Sequence, residues 1–231
     1  MNAQHWSRTN HMFIHTPPRD LADHYDKLAP NYDKFHRRWL RHAGGEAQAA
    51  LEALVRALVT TDTDLLDAGC GTGTLARTLI AEGMPPAKMT LLDPSDAMLA
   101  RCSDIPAVQV KGRLESLPFA DAKFDIVTCA WALETVPRLN LALKELCRVV
   151  RPGGVLCLAF CANLPARGLA DGLMRQALLW RGSGQFLSHG QVIHTLENSG
   201  EFVVRSVPST GPAATLLARR KEKIGTTSIA V

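Results

Sequence analysis

Residues 65–76, Leu-Leu-Asp-Ala-Gly-Cys-Gly-Thr-Gly-Thr-Leu-Ala, constrain the fold of this chain more than any other stretch. The opening apolar run suits a buried strand. Gly69, Gly71 and Gly73 follow at every second position, and a helix-periodic run begins at Thr74. Glycines permit positive φ and let a backbone approach a ligand closely. The first turn of a helix then offers unpaired N–H groups to that ligand. A strand, a glycine turn and a helix in this order make a nucleotide-type site at the end of a parallel strand.

The rest of the chain must surround such a unit with a sheet. With 231 residues, 46% hydrophobic and 21% charged, it has the composition of one globular α/β unit with modest additions. The formal charge of +4 is only mildly basic, and Arg219-Arg220-Lys221-Glu222-Lys223 reads as a solvated tail rather than a nucleic-acid patch. The six cysteines show no metal spacing and sit mostly in apolar runs, as small core residues of a reduced cytoplasmic chain do. No run reaches the roughly 20 apolar residues of a membrane span. Residues 1–19 are polar, contain Pro17-Pro18 and lack the apolar core of a signal peptide. They read as a flexible arm before a single domain over 20–231.

Apolar residues at 47, 50, 51, 54 and 58 predict a helix over 46–59. Strands follow at 65–68, 88–92, 107–111, 124–129 and 155–160, with helices over 74–81 and from 95 to about 101. Pro137 suits a helix start, and Leu139, Leu143, Leu146 and Val150 form the buried stripe of that helix. The proline and glycines of Arg151-Pro152-Gly153-Gly154 predict a stop and a reversal. Ser188 and Gln191 form a capping box for a helix to 199, and strands over 201–207 and 213–218 close the chain. Asp93 ends the second strand 20 residues beyond Gly73, where an acid that grips a ribose is expected. Its structural alternative is a helix-start carboxylate.

The turn departs from the dinucleotide pattern G-x-G-x-x-G, because Thr74 stands where the third glycine would fall. It resembles motif I of the class I S-adenosylmethionine-dependent methyltransferases, roughly D-x-G-x-G-x-G. The resemblance extends in order along the chain. Residues 25–33, with Ala29 and Tyr32-Asp33, resemble the A-x-x-Y-D entry segment of the ubiquinone/menaquinone-type small-molecule methyltransferases. Residues 112–119 resemble their G-D-A-E-x-L-P-F segment, Phe124-Asp125 their F-D strand, and Arg148 to Gly154 their R-V-L-R-P-G-G turn. What this implies is a Rossmann-like three-layer α/β/α sandwich around a seven-stranded, mostly parallel sheet with a C-terminal antiparallel hairpin.

The resemblance implies S-adenosyl-L-methionine as cofactor. Asp67, Gly69, Cys70, Gly71 and Gly73 would cradle its amino-acid portion. Asp93, Pro94, Met98, Arg113, Leu114 and Glu115 would hold ribose and adenine, and Cys129, Ala130 and Trp131 would border the methyl. Tyr32, and more weakly Tyr25, would lie over the methionine end; alternatively both tyrosines anchor a helix. Arg113 replaces the acid that meets the adenine amino group in relatives. Glu115, a backbone carbonyl or stacking by Arg113 itself must then serve. The inferred reaction is methyl transfer to a small, lipophilic or aromatic acceptor walled by residues 20–42 and 163–184. Candidate catalytic residues are Tyr32, His36 and Glu134, and no metal site is expected. A nicotinamide-dependent oxidoreductase and a non-catalytic S-adenosylmethionine-binding protein are the alternatives. Neither a nucleic-acid partner nor membrane insertion is expected, and monomer and homodimer both stay open.

Overall fold

The computed structural model describes residues 21–164, 185–207 and 211–222. The arm over 1–19 and nearly all of the wall segment over 163–184 lie outside these residues. Seven strands share one sheet: β1 (Leu65–Ala68), β2 (Met89–Asp93), β3 (Val108–Lys111), β4 (Phe124–Ala130), β5 (Val150–Cys161), β6 (Phe202–Val207) and β7 (Ala213–Arg220). Their order is β3-β2-β1-β4-β5-β7-β6. The first five pair in parallel, and β7 is antiparallel to both β5 and β6. The mostly parallel sheet with an antiparallel C-terminal hairpin is therefore as expected. From β1 the chain steps outward to β2 and β3, then returns to the other side as β4. That reversal leaves a crevice beyond the carboxyl ends of β1 and β4.

β1 and β2 are buried along their whole length, as near-continuous apolar runs must be when helices cover both faces. Alternation divides their side chains between two layers. Leu65, Leu91, Ile126 and Cys157 pack in one cluster with Leu51 and Val55 of α3 (Gly45–Leu58) and Leu75 and Leu79 of α4 (Thr74–Ala81). Leu66, Leu92, Val127 and Leu156 pack in the other with Leu143 and Leu146 of α6 (Leu139–Val149) and Val192 and Leu196 of α7 (His189–Glu197). Between β2 and β3 lies the short α5 (Asp96–Ala100), and α1 (Leu21–Leu28) and α2 (Tyr32–Trp39) precede α3. Ser188 Oγ accepts the Gln191 N–H at 3.3 Å, so the α7 cap is formed as expected.

Two local expectations are corrected. Val150 does not complete the α6 stripe: its backbone is extended and it opens β5. Ala142, Leu143, Leu146 and Val149 are the buried residues of α6, which begins at Leu139, after Pro137. Nor is Arg151-Pro152-Gly153-Gly154 a simple turn. Phe124 faces Val150 and Ile126 faces Val155, so residues 151–154 bulge out of β5, with Gly153 at φ 79°. A Cβ on Gly154 would lie 2.7 Å from the Asp125 carbonyl, so only glycine lets the bulge fold this closely onto β4.

Arg148, at the end of α6, ties the segment before β4 to the frame. Its guanidinium donates to the Leu117 and Phe119 carbonyls at 3.1 and 2.7 Å, to Asp121 at 2.7 Å and to Glu145 at 2.8 Å. Glu145 in turn accepts the Leu117 N–H at 2.9 Å. Arg148→Ala should cost about 2–3 kcal/mol, because it strips several charge-assisted bonds from a half-buried site. Thermal denaturation should show a midpoint roughly 5–10 °C lower. Lysine should restore little, since it lacks the planar fork.

Candidate active site

The glycine turn sits where β1 ends. Gly69, Gly71 and Gly73 have φ of 77°, 54° and 77°, all left-handed. The Gly69 and Cys70 N–H groups donate to the Leu92 carbonyl at 2.7 and 3.0 Å, which ties the turn to the end of β2. Asp93 completes the tie. Its Oδ2 accepts the Gly71 N–H at 2.9 Å and its Oδ1 accepts the Ser95 N–H at 3.0 Å. Burial pushes the Asp93 carboxyl up to about 6, only partly offset by those two bonds. Asp67 lies alongside, also raised to about 6 by burial, with the Thr128 hydroxyl donating to it at 2.8 Å.

Two hollows meet over this turn. The first, an open hollow of about 510 Å³, is lined by Asp93, Pro94, Met98, Arg113, Leu114 and Glu115 together with Leu21, Tyr25, Thr135 and Val136. The second, an open hollow of about 390 Å³, is lined by Asp67, Cys70, Thr72 and Thr74 together with His36, Gln48 and Ala130. Tyr32, Gly69, Gly71 and Trp131 line both. The structure thus brings together nearly all the residues expected to contact a cofactor. Gly73 and Cys129 border neither hollow. A Cβ on Gly73 would meet Ile105 Cδ1 at 2.5 Å, so its role is close packing. Cys129 is wholly buried in the α6 layer, because alternation along β4 turns it away from the face that carries Ala130. Arg113 is exposed at the rim, whereas Glu115 is buried.

A cap formed by α1 and α2 covers the hollows. The Tyr32 ring lies over Gly71: a methyl there would sit 3.7 Å from Tyr32 Cε1. Tyr32 meets Tyr25 edge-on at 6.2 Å and stacks on His36 at 5.6 Å. Burial raises both phenols and lowers the His36 imidazole. Two aspartates clasp this cap to the frame. Asp26 Oδ1 accepts from Ser95 Oγ at 2.5 Å and from the Ala97 N–H at 3.1 Å. Asp33 accepts from Thr72 Oγ1 at 2.6 Å and from Arg101 at 2.9 Å. The Ser95 hydroxyl bond holds Asp26 below the ordinary carboxylate range, and the bonds from Thr72 and Arg101 overcome burial to do the same for Asp33. Sequence reasoning named the tyrosines and missed these partners. The signal was present in Tyr25-Asp26-Lys27 and Tyr32-Asp33-Lys34, one tripeptide used twice.

Trp131 follows β4 with φ 58°, a costly conformation for a bulky residue. Its N–H donates to the Ala159 carbonyl at 2.8 Å and its Nε1 to Gln48 Oε1 at 2.7 Å. Trp39 packs edge-on to it at 5.6 Å. Gly44, in the π-helical turn Leu40–Gly44, allows this: a Cβ there would fall 2.9 Å or less from both indoles. Glu134, in the turn after β4, is buried and lines neither hollow. Burial pushes its carboxyl up to about 7, and its Oε2 has no hydrogen-bond partner among the described residues. Its charge helps raise both tyrosines. Among the described residues no cluster of three His, Cys, Asp or Glu is placed to hold a metal.

A parallel sheet with its crevice at the β1/β4 reversal, a triple-glycine turn and carboxylates at the ends of β1 and β2 define a nucleotide-binding α/β protein of the methyltransferase type. Comparison with known proteins agrees. Residues 66–158 match the family described as Methyltransferase domain. The chain is 31% identical over 225 residues to a malonyl-[acyl-carrier protein] O-methyltransferase of Enterobacter lignolyticus, covering 92% of this chain and 83% of that one. It is 36% identical over 162 residues to a ubiquinone/menaquinone biosynthesis C-methyltransferase of Methylobacterium nodulans. That match covers 66% of this chain and 59% of the relative. A Thermotoga maritima structure titled a methyltransferase, possible histamine N-methyltransferase, superposes with a TM-score of 0.64 over 86% of this chain and 99% of its own, at 19% identity. The chain belongs to the class I S-adenosylmethionine-dependent methyltransferases, the family whose methyl donor is S-adenosyl-L-methionine.

Proposed function

We propose that the chain transfers a methyl group from S-adenosylmethionine to a small, lipophilic or aromatic acceptor, leaving S-adenosylhomocysteine. The observation that carries this reading is the pair of hollows that share Gly69, Gly71, Tyr32 and Trp131 in their linings. One end is lined by Asp93, a ribose-type acid, and the other by Asp67, which suits an ammonium group. The bound sulfonium supplies an electrophilic methyl and a neutral leaving group. What the chain must supply is alignment, worth roughly 7–11 kcal/mol for well-oriented reactants. Asp93 would accept from the ribose hydroxyls, and Gly71, bare of a side chain, would leave the donor room beside the turn. Leu21, Tyr25, Val136 and Trp131 give the first hollow an apolar and aromatic wall that suits a lipophilic acceptor. The names of the relatives place methylation at carbon in one and at oxygen in another.

An acceptor that is protonated at neutral pH, such as a phenol or an activated carbon, has to lose a proton, whereas a carboxylate does not; for the protonated acceptors Glu134 is the group we assign to take it. Burial raises its carboxyl to about 7, close to the pH at which a general base works best. Labelled-methyl transfer across quinone-like, phenolic, thiol and amine acceptors tests the function. Transfer to none of them, with S-adenosylmethionine bound, would leave the non-catalytic alternative standing. Glu134→Gln should lower transfer by about 10²–10⁴-fold and remove the limb near pH 7 from the rate profile. S-adenosylmethionine affinity, read by calorimetry, should hold in the same variant. An unchanged profile would remove Glu134 from the mechanism.

A further inference from the structure

The helix that presents Tyr32 and His36 to the site has an opposite face with no role there. Lys34, Arg37, Arg38, Arg41 and His42 are exposed and together line an open groove of about 840 Å³. At 100° per residue, Lys34, Phe35, Arg37 and Arg38 fall within an arc of about 160°, with Tyr32, His36 and Trp39 opposite. Arg41 and His42 extend the basic face into the π-helical turn. Among the described residues, no carboxylate lies within salt-bridge distance of Lys34, Arg37, Arg38 or Arg41. The nearest acid in sequence, Asp33, is already bonded to Thr72 and Arg101. Phe35 stands on the edge of the same face, 42% exposed, with neither exposed Val108 nor exposed Val203 near it in sequence.

We propose that this face docks the chain on an anionic lipid surface. The groove takes phosphate-bearing headgroups, and Phe35 enters the boundary with the acyl chains. Lys34, Arg37 and Arg38 on one face of α2, continued by Arg41, have no salt bridge among the described residues, and with the exposed Phe35 ring they have the composition of an interfacial helix. Juxtaposed lysines and arginines each favour an anionic leaflet by about fivefold. An acidic protein partner fits less well. Protein interfaces need a desolvated apolar centre with several anchors, and this face carries one apolar side chain among five basic ones. No helix among the described residues is long and apolar enough to cross a membrane, so the contact is at the surface. Docking through α2 sets the cap against the phase in which a lipophilic acceptor is dissolved. That last consequence rests on the acceptor reading above, whereas the docking itself does not.

Co-sedimentation of the full chain with phosphatidylglycerol vesicles, with neither donor nor acceptor added, tests the docking alone. The wild type should pellet with anionic vesicles, stay in the supernatant with phosphatidylcholine vesicles, and be released by salt. The variant R37E/R38E/R41E should lose at least about a hundredfold in vesicle affinity. Its S-adenosylmethionine affinity and its methyl transfer to a water-soluble acceptor should match the wild type. Phe35→Ala should weaken binding severalfold without changing the salt dependence. Wild-type chain that ignores anionic vesicles, or a triple variant that pellets equally, would overturn the proposal. So would binding of the basic face to an acidic carrier protein in the absence of any vesicle binding. If the vesicles bind but no acceptor is methylated, the docking stands and the methyl-transfer reading falls.

Discussion

Asp93→Ala should weaken S-adenosylmethionine binding by about 10²–10⁴-fold. The carboxylate is assigned two ribose hydroxyls, and each bond to a charged group is worth about 1.5–3 kcal/mol. The same substitution leaves the Gly71 and Ser95 N–H groups without their acceptor, so the glycine turn also loses its anchor. Calorimetric titration of the variant checks the prediction, and near-wild-type affinity would remove Asp93 from the site. Acid should mimic the substitution in part. Asp93 and Asp67 both titrate near 6 in the folded chain, so affinity for S-adenosylmethionine should fall as pH drops from 7 to 5. Stability of the ligand-free chain should move the other way. A carboxyl raised above its unfolded value binds its proton earlier in the folded state, so between about pH 4 and 6 the folded chain holds more protons. Asp67, Asp93 and Glu134 therefore favour folding as pH falls through this window. Thermal midpoints and titrations over the same pH series separate the two effects.

The three glycines of the turn should respond differently to a single added methyl. Gly69→Ala places Cβ 2.6 Å from Ala132 Cβ, a neighbour with no flexible end to yield. Left-handed strain of about 1–2 kcal/mol adds to overpacking of about 1–3 kcal/mol. The expected loss of about 2–5 kcal/mol should lower the thermal midpoint by roughly 5–20 °C. Gly73→Ala should behave similarly, with Ile105 Cδ1 at 2.5 Å and Cys102 Sγ at 3.0 Å, although those side chains can shift somewhat. Gly71→Ala meets only Tyr32 Cε1, at 3.7 Å, so it carries the backbone strain alone. Its midpoint should move by only a few degrees. Yet its methyl points between the turn and the Tyr32 ring, where the donor is to pass, and S-adenosylmethionine affinity should drop by more than tenfold. Equal affinity losses in all three variants after correction for folding would contradict this division.

The strands were readable because buried parallel strands leave a plain signature: Leu65–Ala68 and Met89–Asp93 are short apolar runs closed by a turn. The glycine triplet was readable for a similar reason, since few other needs place glycine at every second position. Residue roles decided across the fold were less accessible. Alternation along β4 would have separated Cys129 from Ala130, but only once the site face of the strand was known. The bulge at 151–154 uses the same Pro-Gly-Gly that a turn would use, and its register is set by Phe124 and Ile126 on the partner strand. Asp26 and Asp33 find partners 69 and 39 residues away, so the repeated Tyr-Asp-Lys marked the two residues but not what they bind. The positive φ of Trp131 depends on Gln48, Trp39 and Gly44, all supplied by another part of the chain.

The two clasping aspartates also give the molecule a sequence of events on acidification. Asp67 and Asp93 in the floor take up protons early, near pH 6, because they are buried. Asp26 and Asp33 in the cap are biased the opposite way, because hydroxyl, amide and guanidinium donors favour their ionised forms. The floor is thus neutralised while both fastenings still hold. Mild acid would weaken the ligand's contacts while the cap stays fastened over them, so a ligand bound at neutral pH should leave more slowly than its weakened affinity alone would indicate.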